Sequence, residues 1–169
     1  MRTLELKASD NQYLHKDFHG ALCYAIRYLD ETFGPDATSQ YLRQVGSENF
    51  KPLIGELKKQ GLVALESHFK RIFELEGGQA RFELNHDQLI INVINCPAIS
   101  HLKSKGLLYT DRYCQSTVNI NESICNAAGY ECSCDYVAGQ GRCVQKFWKM
   151  PGEILLLKKI LSCWINCCP

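Results

Sequence analysis

The segment Asn95-Cys96-Pro97-Ala98-Ile99-Ser100-His101 constrains this chain more than any other. The residues before it, Asp87-Gln88-Leu89-Ile90-Ile91-Asn92-Val93-Ile94, are short, apolar and β-branched, the pattern of a buried strand. Pro97 then stands where a helix begins, because its fixed φ suits the first helical turn. The chain has to pass from strand to helix at Cys96. A cysteine there lies beside unsatisfied backbone N–H groups and the positive end of a helix dipole, which favour the thiolate and predict a lowered pKa. His101, about one helical turn further on, is placed to face the same space. The pair reads as a nucleophile and a proton carrier, or else as a half-buried structural cysteine beside a surface histidine.

The flanking segments predict an α+β fold: N-terminal helices followed by a four-stranded antiparallel sheet of two hairpins, with helices between them. Tyr13, Leu14, Phe18, Leu22, Ala25, Ile26 and Leu29 recur at helical spacing until Gly34-Pro35 stops the pattern. A second helix is expected from about Pro35 to Val45. A third is expected from Lys51-Pro52 to Gly77-Gly78, with Gly61 as an interruption. Residues 79–85 and 87–95 read as a hairpin around His86-Asp87. Helices follow over Pro97 to Lys105 and over Asp111 to Ala128. Residues 130–138 and 142–149 then read as a second hairpin around Gly139-Gln140-Gly141. A simple loop there sets Val137 opposite Cys143 and turns Cys143 away from the face shared by Cys132 and Cys134.

The length of 169 residues suits one domain, expected over 1–150, with an apolar C-terminal tail over 151–169. The tail's apolar residues Ile154, Leu157, Ile160, Leu161 and Trp164 would suit a homodimer contact. A net charge of +1 gives no reason to expect nucleic acid or an anionic membrane as partner. No segment has the pattern of a signal peptide or of a bilayer span, so the expected location is cytoplasmic. The ten cysteines are then expected to be free, metal-bound or reactive. No pair of CxxC knuckles is present, which argues against a zinc finger.

Cys132, Cys134 and Cys143 could hold a metal only on one face, which the expected register argues against, and two other constellations could carry chemistry. His15-Lys16-Asp17-Phe18-His19 places His15 and His19 on one helical face, a spacing that can hold a divalent metal given a third ligand. No cofactor is firmly implied. Asn119, Glu122 and Cys125 are three apart and would line one side of a pocket, with Glu122 as acid or base. An exposed polar face with Cys125 in the core is the alternative.

Six segments together resemble the L-2-amino-thiazoline-4-carboxylic acid hydrolase family: residues 15–19, 41–44, 61–69, 96–101, 119–125 and 141–147. The resemblance covers roughly residues 10–148. It implies a small-molecule substrate, a cyclic isothiourea whose ring is opened by water to an N-carbamoyl cysteine. It places Cys96, His101 and Glu122 as catalytic residues, and His15, Asp17, His19, Asn119 and Cys125 around the substrate. A non-enzymatic module that binds a small molecule or a metal in the same cleft is the competing reading.

Overall fold

The computed structural model describes Lys16 and residues 18–152. His15, Asp17 and the apolar tail from residue 153 onward lie outside the described residues. Among the described residues, six helices and four strands run in the order α1 (Phe18–Phe33), α2 (Pro35–Asn49), α3 (Lys51–Gln60), α4 (Leu62–Glu76), β1 (Gln79–Leu84), β2 (Gln88–Asn95), α5 (Pro97–Lys105), α6 (Tyr113–Ala128), β3 (Tyr130–Tyr136) and β4 (Cys143–Lys149). The fold is the expected α+β arrangement, helices first and then two antiparallel hairpins. Gly61, at φ 71°, divides the long third helical stretch into α3 and α4. The turn at His86-Asp87 is held by Asn85, whose Oδ1 accepts the N–H groups of Asp87 and Gln88, each at 2.9 Å.

The hairpins join through β2 and β4, giving the sheet order β1-β2-β4-β3. Opposed pairs Leu89↔Phe147, Ile91↔Gln145 and Val93↔Cys143 fix that junction. One face of the sheet is buried. Leu89, Ile91, Val93 and Phe147 pack with Ile54 and Leu57 of α3, Leu62 and Leu65 of α4, and Ile124 and Cys125 of α6. Ring contacts from Phe69 to Phe147 and from Phe73 to Phe82 continue α4 along the sheet. A second, smaller cluster gathers Cys23, Ala98, Ile99, Leu102 and Tyr113 between α1, α5 and the start of α6.

The register of the second hairpin differs from the expectation. Tyr136, not Val137, stands opposite Cys143. The connection is longer than a simple loop, running from 137 to 142, with Gly139 at φ 72° and Gly141 at φ 70°. A one-residue slip turns every side chain of a strand to the other face. Cys143 therefore shares the inward face with Cys132, Cys134 and Gln145.

A thiol-lined cavity as candidate site

Cys96 is where the elements of the site meet. It is the N-cap of α5, in extended backbone conformation. Its N–H donates to the Gly141 carbonyl at 2.8 Å, and its carbonyl accepts the Ser100 N–H at 3.0 Å. Strand β2, helix α5 and the β3–β4 loop are thus tied at one residue. Cys96 also packs against both hydrophobic clusters. The expected lowering of its pKa does not occur: burial pushes the thiol up, outweighing the N–H groups of Ile99 and Ala98 at the helix start.

Cys96 lines a cavity of about 60 Å³ between the helices and the end of the sheet. Cys114 and Thr117 come to it from α6, Cys134 and Tyr136 from β3, Cys143 and Gln145 from β4, with Tyr113, Phe73, Ile99, Val93 and the loop residues Gly141 and Arg142 completing the wall. That volume is room for about two waters and is below the roughly 150 Å³ that holds a benzene ring, so a ring compound also needs space from the groove beside it. Val93, Tyr136, Arg142 and Cys143 also line an open groove at the same end of the sheet.

A buried polar relay ends at this cavity. Tyr113 Oη lies 2.7 Å from His19 Nδ1. His19 Nε2 lies 2.9 Å from Glu76 Oε2. The side chains of His19 and Glu76 are only 12% and 4% exposed, so the relay is shielded from solvent. Burial pushes the Tyr113 phenol well above its ordinary range. Both ring nitrogens of His19 are engaged, which leaves no lone pair for a metal. Among the described residues no group of three or more His, Cys, Asp or Glu side chains is placed to hold an ion.

A second chain of hydrogen bonds reaches Cys143. Asn121 Nδ2 donates to Gln145 Oε1 at 2.9 Å, which turns the Gln145 amide so that its Nε2 donates to Cys143 Sγ at 3.5 Å. The Cys134 thiol also donates to Cys143. These donors draw the Cys143 thiol down to about 7, against burial. The Cys134 thiol is pushed up for the complementary reason, because it is the donor of that bond.

The other expected site residues are spread out. His101 does not line the cavity: the inward stripe of α5 is Ala98, Ile99 and Leu102, and His101 falls beside it. Glu122 faces a separate polar depression with Cys125, Asn126 and Glu131, and its Oε2 lies 3.5 Å from Arg43 Nη2. Cys125 belongs to the main core and is fully buried. Asn119 is 1% exposed, and its amide has no partner among the described residues. Three-residue spacing on a helix spreads side chains over a wide arc, and on α6 the arc is divided between core, helix interface and surface. His19 is brought to the cavity's edge, through Tyr113.

Sequence reading missed Tyr113, Glu76 and Gln145 as site residues, and set Cys143 on the wrong face of the sheet. The alternation of Cys143 and Gln145 along one strand was a usable signal, but it needed the correct register.

Fold and site define an α+β protein with a small cysteine-lined cavity served by a Tyr–His–Glu relay. A search with family models gave no match. Comparison with curated proteins gave none either.

Proposed function

We propose that this protein is a hydrolase of a cyclic isothiourea, opening a 2-amino-thiazoline-4-carboxylate-like ring to an N-carbamoyl cysteine. The observation that supports the reading is the meeting of a hydrogen-bonded thiol, Cys143, and a buried proton relay at one compact cavity. The carbon between nitrogen and sulfur in such a ring is electrophilic. A thiolate in the cavity adds to it, and the departing ring sulfur needs a proton.

Tyr113 is placed to supply that proton. With Glu76 ionised, His19 Nε2–H donates to it. When Nδ1 also carries a proton, it donates to the Tyr113 oxygen and frees the Tyr113 hydroxyl to donate into the cavity. The proton that leaves Tyr113 is replaced from His19. Arg142, the cation on the cavity wall, is the natural partner of the ring carboxylate. Cys96 shapes the wall as a neutral thiol, and the expected roles of His101 and Glu122 pass to Tyr113 and its relay.

Purified protein incubated with excess 2-amino-thiazoline-4-carboxylate should release one new thiol per molecule of substrate opened, read with a chromogenic disulfide. No release above a heat-inactivated control, with or without added zinc, contradicts the hydrolase reading and leaves a ligand-binding module in its place.

A further inference from the structure

We infer that Cys143 is the nucleophilic thiol of the cavity, and that it takes compact carboxylates carrying an amidine-type carbon, which reach it from the groove at the end of the sheet. The choice of substrate rests on the hydrolase reading; the reactivity of the thiol does not.

Three observations converge on Cys143 rather than on its neighbours. It is a wall residue of both the inner cavity and the outer groove, so it stands between the cavity and solvent. It is also the sulfur at the end of the fixed amide chain from Asn121 through Gln145. Asn121 and Gln145 are both buried, so water competes weakly for these bonds. An amide N–H held on a sulfur stabilises a thiolate far more than a thiol, since the charged acceptor makes the stronger bond. The third observation is the Cys134 thiol, which lines the same cavity from the adjacent strand and on the same face. The remaining groups facing Cys143 are Tyr136 on β3, Cys96 at the start of α5, Cys114 on α6 and the preceding residue Arg142. Arg142 carries a positive charge, whose sign favours a thiolate; Asp135, next to Tyr136 on β3 and also on the groove wall, is the opposing charge, on the other face of the strand.

The covalent step balances with groups already in place. The Cys143 sulfur forms a bond to the ring carbon, and the ring carbon–sulfur bond breaks with its electron pair leaving on the ring sulfur. That sulfur takes the Tyr113 proton, which His19 replaces. The intermediate is an isothiourea on Cys143. Water then adds to the same carbon and returns one proton to His19 through Tyr113. Its second proton goes to the product nitrogen. Cys143 departs with its bonding pair as the thiolate, and the oxygen of water becomes the urea oxygen.

Limited labelling of the native full-length protein with iodoacetamide, from about pH 5 to about pH 9 and without substrate, tests the thiolate directly, because only that form alkylates. Peptide mapping should show Cys143 labelled ahead of Cys96, Cys114 and Cys134 at neutral pH. Gln145→Met keeps the side-chain volume and removes the donor; it should slow Cys143 labelling at neutral pH about tenfold. Earlier labelling of Cys96 or Cys114 in the wild-type protein would overturn the inference, as would an unchanged rate in a Gln145→Met protein that melts cooperatively. If that variant fails to fold, the wild-type map decides by itself. Turnover separates this inference from the hydrolase reading. A wild-type protein that opens the ring, with Cys143→Ser equally active, sinks the nucleophile and leaves the hydrolase standing. A wild-type protein that alkylates first at Cys143 but opens no ring keeps the reactive thiol and removes the substrate.

Discussion

At the scale of single residues, the site depends on how a few buried polar groups hold one another. Tyr113 is the residue through which the relay reaches the cavity. Replacing it with phenylalanine leaves the ring in place and removes the proton path. Tyr113→Phe should therefore lower ring opening by about 10²-fold or more, the usual effect of losing an acid–base group. The lost hydrogen bond to His19 should cost only about 1 kcal/mol of stability, measured by denaturant unfolding. A purely structural tyrosine would give the reverse: a clear loss of stability with activity kept in the folded fraction. The same scale explains why the Cys96 thiol is raised and not lowered. Its place at the strand-to-helix junction was legible from Pro97 and the apolar run before it, and the N–H groups at the helix start do pull toward the thiolate. What the sequence could not display is how deeply two hydrophobic clusters bury that thiol, and burial is the larger effect.

At the scale of elements, helices were the most legible part, because apolar periodicity and Gly/Pro stops are local. The split at Gly61 and the start of α5 at Pro97 both follow from single residues. Strand register was not legible, since it depends on the length of the 137–142 connection and on pairing with β2 across the sheet. That single offset decided which face Cys143 occupies. Helix packing carries its own test. Helices α2 and α6 approach so closely at Gly46 that an added Cβ would lie 2.8 Å from Ser123 Cβ and 2.9 Å from the Ile120 carbonyl oxygen. Gly46→Ala should destabilise the fold by about 1–3 kcal/mol through overpacking. At Gly55, inside α3, nothing lies within 4 Å of the added atom. Gly55→Ala should instead stabilise by roughly 0.5–1 kcal/mol, the gain in helix propensity. Thermal melts of the two variants compare them directly; equal shifts would mean that α2 and α6 are not in such close contact.

At the scale of the whole molecule, the cavity joins two hydrophobic clusters, and the thiols that line it connect stability to pH. Burial raises Cys96 and Cys114 above their ordinary value of 9.0. Above that pH the unfolded chain loses these protons while the folded protein keeps them. The unfolded state then binds fewer protons, so stability is full below about pH 9 and falls as pH rises through the folded-state values. The melting temperature should decline in that range, and a Cys96→Ala, Cys114→Ala double variant should decline less steeply. An equal slope in both proteins would show that these thiols do not carry the effect. The central claim, that this cavity opens a cyclic isothiourea with water, is tested most directly by the product formed in heavy-oxygen water. Mass spectrometry of 2-amino-thiazoline-4-carboxylate turned over in that solvent should show an N-carbamoyl cysteine carrying one heavy oxygen in its urea group. Unchanged substrate, or a ring-opened product without the label, would contradict it.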